Sequence, residues 1–123
     1  MIVDDDPEFR TLVRTFLANS DFSVSEAVNG DVALRLMQDR RFDALIMDMV
    51  MPEGEGLETI RAVRKRYPEC RILATSGKNV YLQAARLLGA DVILEKPISR
   101  EELYDSLNHL AWAPHGVSPD PCS

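Results

Sequence analysis

Apolar positions in this chain fall into short continuous runs separated by longer segments with helical spacing. The runs are Ile2-Val3, positions 44–47 (Ala-Leu-Ile-Met), Ile72-Leu73-Ala74 and Val92-Ile93-Leu94. Continuous runs of this length fit strands covered on both faces, as in a parallel sheet. Positions 22–28 (Phe-Ser-Val-Ser-Glu-Ala-Val) alternate instead and predict one further strand. Between the runs, Phe9, Leu12, Val13, Phe16 and Leu17 recur at helical spacing behind Asp6-Pro7, an N-cap aspartate followed by a proline at the first helical position. Asn29-Gly30-Asp31 turns into a second helix carrying Val32, Leu34, Leu36 and Met37. Met51-Pro52-Glu53-Gly54-Glu55-Gly56 is a loop rich in helix breakers, and Leu57, Ile60, Val63 and Arg64 mark a third helix that stops before Pro68. Positions 79–88 predict a fourth helix with Gly89 just past its end. Ser99-Arg100-Glu101-Glu102 is a capping box that opens a last helix with Leu103, Leu107 and Leu110.

Five strands thus alternate with five helices, and right-handed crossovers place the helices on both faces of a parallel sheet. The first strand is short. Only Met1 to Val3 precede Asp4, so either the chain is truncated there or this strand has lost its leading residues.

Polar residues able to do chemistry stand where the runs stop. Asp4 and Asp5 follow the first, Asp48 the run at 44–47, Ser76 the run at 72–74 and Lys96 the last. In an open α/β sheet the ligand site lies beyond the carboxyl ends of the strands, so these side chains are expected at one edge. Two carboxylates about 4 Å apart repel by roughly 4 kcal/mol at an effective dielectric near 20. Three of them call for a cation, and magnesium takes hard oxygen ligands while completing its shell with phosphate. The pattern predicts a magnesium-assisted phosphoryl site.

Composition narrows the picture. With 123 residues, 46% of them hydrophobic, the chain suits one domain. A net charge of −6 argues against nonspecific binding to nucleic acid or to anionic membranes. The basic group Arg61, Arg64, Lys65 and Arg66 reads as the solvated face of one helix, and Tyr81, Tyr104 and Trp112 are too scattered to form a stacking platform. Cys70 and Cys122 have no metal-like spacing and read as reduced thiols, and His109 and His115 as surface residues. No signal peptide or membrane span is apparent, so a cytoplasmic location is expected. Prolines 114, 119 and 121 crowd the end, which divides the chain into a domain at 1–111 and a tail or linker, expected to be disordered, at 112–123.

Taken in order, Ile2-Val3-Asp4-Asp5-Asp6-Pro7, Asp48-Met49-Val50-Met51-Pro52 with Gly56, Thr75-Ser76-Gly77 and Glu95-Lys96-Pro97 closely resemble the receiver domains of two-component response regulators. The resemblance implies a flavodoxin-like (βα)5 fold, a doubly wound sandwich with strand order 2-1-3-4-5. It makes Asp48 the phosphoacceptor, a carboxylate nucleophile that becomes an aspartyl phosphate. It makes Asp5, Asp48 and the backbone carbonyl of Val50 ligands of Mg2+, with Mn2+ as the alternative ion, and has Asp4 act through a bound water. Ser76 corresponds to the hydroxyl that bonds the phosphoryl oxygen, favoured over Thr75 because the small Gly77 follows it, and Lys96 to the ammonium that pairs with it. The Lys96-Pro97 bond is expected to be cis. The implied partners are a histidine kinase or phosphotransfer protein and an effector that docks on the fourth helix, fifth strand and fifth helix.

Two departures stand out. Ile93 occupies a position where many receivers carry an aromatic switch residue, and Val50 is apolar where the family's side chain influences access of water to the acyl phosphate, which predicts slow dephosphorylation. The expected function is a phosphorylation-controlled switch rather than a turnover enzyme. The competing readings are a receiver-like module that signals by constitutive binding, and a hydrolase using an aspartate nucleophile, for which Asp4-Asp5-Asp6 offers an Asp-x-Asp spacing.

Overall fold

The computed structural model describes residues 1–50 and 55–110. The tail expected at 112–123 and residues 51–54 of the expected breaker loop lie outside them, while the last two residues of that loop, Glu55 and Gly56, instead open a helix. The elements run β1 (Ile2–Val3), α1 (Pro7–Phe16), β2 (Glu26–Ala27), α2 (Gly30–Asp39), β3 (Ala44–Asp48), α3 (Glu55–Arg66), β4 (Arg71–Ser76), α4 (Asn79–Leu88), β5 (Val92–Glu95) and α5 (Arg100–His109). All strand pairs are parallel in the order β2-β1-β3-β4-β5, the flavodoxin-like arrangement that was expected.

Strand alternation builds two cores. Val3, Leu45, Met47, Ile72 and Ala74 pack with Met37, Ile60, Val63, Leu82 and Ala85 of α2, α3 and α4. On the opposite face Ile2, Ile46, Leu73 and Leu94 pack with Phe9 and Val13 of α1 and Leu103 and Leu107 of α5.

Local signals set the helix ends. Asp6 Oδ1 accepts from the Glu8 amide at 2.9 Å with Pro7 at the first turn, and Asn29 Oδ1 accepts from the Val32 amide at 2.9 Å. Ser99 and Glu102 form both bonds of the capping box. Gly89, at φ 117°, takes the left-handed conformation that ends α4.

Three expectations need correction. The strand expected over 22–28 spans only Glu26–Ala27, because its one neighbour, β1, offers only Ile2 and Val3 to pair with. On α2, Val32, Leu34 and Leu36 are half-buried, and the buried positions are Gly30, Ala33 and Met37. A Cβ on Gly30 would stand 1.9 Å from Thr59 Oγ1, so α2 and α3 approach too closely there for a larger residue. Finally, Arg64 is no solvated helix-face residue. Its guanidinium donates to the carbonyls of Pro68 (2.9 Å), Cys70 (2.9 Å) and Gly89 (2.7 Å) and to Asp91 Oδ2 (3.0 Å), tying the end of α3 to the start of β4 and the end of α4.

Candidate functional site

The carboxyl edge of the sheet gathers four of the residues singled out above. Asp4 and Asp5 leave β1, Asp48 ends β3 and Lys96 follows β5. One oxygen from each of Asp4, Asp5 and Asp48 lies within 4.8 Å of the others. Asp4 is fully buried, Asp48 is 5% exposed, and Asp5 faces solvent. The Lys96 ammonium is 3.0 Å from Asp4 Oδ2 and 3.6 Å from Asp48 Oδ1.

Two buried carboxylates are expensive unless partnered, and the surroundings supply partners. Asp4 Oδ1 accepts from the Asp6 amide at 2.9 Å, and Asp48 Oδ1 accepts from the Val50 amide at 3.1 Å. Even so, burial raises the Asp48 carboxyl above its ordinary 3.8. Asp4 and Asp5 push in the same direction, against the Val50 amide and Lys96. Gly56 lets the first turn of α3 rest against the end of β3, since a Cβ there would lie 2.8 Å from the Asp48 carbonyl oxygen.

The two hydroxyls at the end of β4 are both buried and differently engaged. Thr75 Oγ1 donates to the Met47 carbonyl at 3.3 Å, whereas Ser76 Oγ accepts from the Lys78 amide at 2.9 Å. Ser76 therefore stands at the edge without a hydrogen bond to the carboxylates, and the space above Gly77 is open. Val50 is 40% exposed beside Asp48, and the Lys96-Pro97 bond is cis, as expected.

A hard divalent cation fits this donor set. The three side chains offer only carboxylate oxygens, close together, and their charge exceeds what one ammonium neutralises.

Comparison with known proteins agrees with the geometry. Residues 1–108 match the family model for the response regulator receiver domain. The chain belongs to this family. As a receiver domain it is 35% identical over 104 residues to the transcriptional regulatory protein CpxR of Escherichia coli (strain K12), a match covering 84% of this chain and 44% of CpxR. It is also 35% identical over 122 residues to the response regulator MprA of Mycobacterium sp. (strain KMS), covering 98% of this chain and 52% of that protein. The receiver thus spans about half the length of the curated relatives it matches. Among solved structures, the Vibrio cholerae chemotaxis protein CheY4 superposes with a TM-score of 0.79 at 32% identity, covering 87% of this chain and 92% of that one.

Two residues at the receiver's site were not legible as such in the sequence, where Phe9 stands out only as a helix position and Arg10 not at all. The Phe9 ring lies 4.0 Å from Lys96 Nζ, a cation–π contact that holds the ammonium over the pocket. Arg10 donates to the Asp4 backbone carbonyl at 2.8 Å and pairs with Glu26 at 2.9 Å. Their spacing marks only a helix; what gives them these roles is the packing of α1 against β1 and β5.

Proposed function

We propose that this receiver domain is a phosphorylation-controlled switch whose phosphoacceptor is Asp48. The observation that carries the reading is the cluster of Asp4, Asp5 and Asp48 oxygens within 4.8 Å, with Lys96 against two of them. A carboxylate oxygen of Asp48 attacks the phosphorus of a phosphohistidine on a kinase or phosphotransfer protein. The P–N bond breaks, the imidazole nitrogen keeps the electron pair and takes a proton from solvent, and an acyl phosphate remains on Asp48. Asp5, Asp48, the Val50 carbonyl and, through water, Asp4 would hold Mg2+ or Mn2+, which when bound supplies positive charge to the transferring phosphoryl oxygens. Lys96 adds its ammonium on the other side, positioned by Phe9.

With Ile93 in place of an aromatic switch, Ser76 carries the signal. Its hydroxyl accepts from the amide of Lys78, the N-cap of α4, which has no side-chain cap of its own. Turning that hydroxyl toward a phosphoryl oxygen removes the amide's acceptor and loosens the start of α4. On α4, Val80 (72% exposed) and Leu87 (87% exposed) lie with Ala84 on one stripe, an apolar surface suited to an effector that reads the change. The domain turns over only its own acyl phosphate. Among the described residues no helix is long and apolar enough to cross a membrane, and no observation favours the hydrolase or constitutive-binding readings.

The test is incubation with a small-molecule phosphodonor, with and without magnesium, followed by mass spectrometry to locate the phosphoryl group. Labelling of Asp48 that requires magnesium is expected; labelling that survives Asp48→Asn or ignores chelation overturns the assignment. Phosphate loss is expected to be slow. Val50→Asn should speed it severalfold in the same assay, and an unchanged decay would remove Val50 from the account.

A further inference from the structure

The side chain of Arg10, on α1, is only 16% exposed, and a guanidinium is costly to bury unless its donors are used. Its Nη1 donates to the Asp4 backbone carbonyl at 2.8 Å, and its Nε donates to Glu26 Oε1 of β2 at 2.9 Å. Glu26 Oε2 in turn accepts from Arg14 Nε, one helical turn further along α1, at 2.7 Å. The bond from Arg14 and then that from Arg10, acting against burial, hold the Glu26 carboxyl below its ordinary 4.5. The anchor therefore stays charged at neutral pH.

We propose that Arg10 is a positioning residue of the cation site, which sets the direction of the Asp5 carboxylate by holding the Asp4 carbonyl. The proposal rests on the reading of Asp4, Asp5 and Asp48 as magnesium ligands. β1 ends at Val3, and although the Asp4 amide still donates to the Ala27 carbonyl at 3.1 Å, the Asp4 carbonyl lies past the strand and is met by Arg10. That carbonyl and the Asp5 amide share one rigid peptide plane. The next plane, between Asp5 and Asp6, is held as well, because the Asp6 amide donates to Asp4 Oδ1 at 2.9 Å. Asp5 thus stands between two anchored peptides, and the direction of its Cα–Cβ bond is set before any ion arrives. Its carboxylate has no comparable support, since Asp5 is exposed and makes no ion pair among the described residues. The Asp4 side chain, by contrast, is held directly by Lys96 and the Asp6 amide. For Asp5 it is the backbone that keeps an oxygen within 4.8 Å of those of Asp4 and Asp48.

The sign of the effect separates positioning from charge. Removing an arginine makes the chain more negative, which by Coulomb attraction alone favours a divalent cation. Loss of positioning does the reverse. Arg14→Met makes the same change in charge at a side chain that is 51% exposed and bonds Glu26 but not Asp4.

The test is calorimetric titration of the full chain with magnesium chloride at constant ionic strength, with circular dichroism to confirm folding. Arg10→Met should raise the magnesium Kd roughly tenfold, the lower end of the range for residues that orient metal ligands. The magnesium concentration that half-saturates Asp48 labelling should rise by the same factor. Arg14→Met should bind magnesium as tightly as the parent or more tightly. If Arg10→Met fails to fold, Arg10→Lys keeps the charge and stem but loses the planar fork that reaches Asp4 and Glu26 together, and should weaken binding severalfold. Parent-like or tighter binding by a folded Arg10 variant overturns the proposal. So does equal weakening in Arg14→Met, and so does a slower labelling rate at saturating magnesium with the half-saturation point unmoved. A parent that neither binds magnesium nor needs it for labelling overturns this proposal together with the assignment of the site, an outcome distinct from the others because it appears before any substitution.

Discussion

Burial of Asp48 beside Asp4 and Asp5 makes its ionised form costly in the folded chain, so its carboxyl titrates above the ordinary 3.8. The folded state then holds a proton over a pH range where the unfolded state has released it, and stability falls as pH rises through that range. Below the ordinary value both states are protonated and the penalty disappears. Asp48→Asn removes the charge but keeps an oxygen for the Val50 amide, and Lys96 keeps its 3.0 Å partner Asp4. Without magnesium, the variant should be more stable than the parent at pH 7, with the gap closing as the medium is acidified through the carboxylate range. Urea denaturation at several pH values measures this. A variant less stable than the parent at pH 7 would show that Lys96 and the Val50 amide already outweigh the burial of the charge.

Between elements, Arg64 does what no single helix could do for itself. It caps carbonyls at the end of α4 and before β4, and pairs with Asp91, whose carboxylate also accepts from the Ile72 amide at 2.8 Å. Arg64→Met keeps the aliphatic stem but leaves partly buried carbonyls without a donor, a loss of about 1–3 kcal/mol. Urea denaturation monitored by circular dichroism should show it, whereas a change within about 0.5 kcal/mol, typical of a surface substitution, would refute the clamp. This residue also marks the limit of what the sequence could reveal. Its partners Gly89 and Asp91 are 25 and 27 positions away, so the arginine looked like part of a solvated basic face. Strand β2 failed for a related reason, since its length is set by the short β1 beside it and not by its own alternation. Asp6, Ser99 and Gly89 were legible because caps act within a few residues. The convergence of Asp4, Asp5, Asp48 and Lys96 was legible because parallel topology brings all strand ends to one edge. Phe9 and Arg10 were not, because helix periodicity says which face is buried but not which charged group will rest on it.

Across the whole molecule, a cation held at the acidic edge would couple its binding to folding. Its carboxylates come from β1 and β3, neighbouring strands whose separate segments are brought together only when the sheet forms. An unfolded chain has no such cluster, so a cation that binds it stabilises the fold by mass action, about 2.7 kcal/mol at a hundredfold excess over Kd. For a chain of this size each kcal/mol moves the thermal midpoint by about 4 °C. Asp5 separates this linkage from general screening because it is exposed and makes no ion pair among the described residues. Asp5→Asn should therefore melt within a few degrees of the parent in the absence of divalent ions. Magnesium should raise the parent's midpoint well above its value in sodium chloride of equal ionic strength, and most of that rise should vanish in Asp5→Asn. Scanning calorimetry of both proteins in the two salts decides the matter: equal responses would mean that the ion acts by screening the net charge of −6 and not by occupying the cluster.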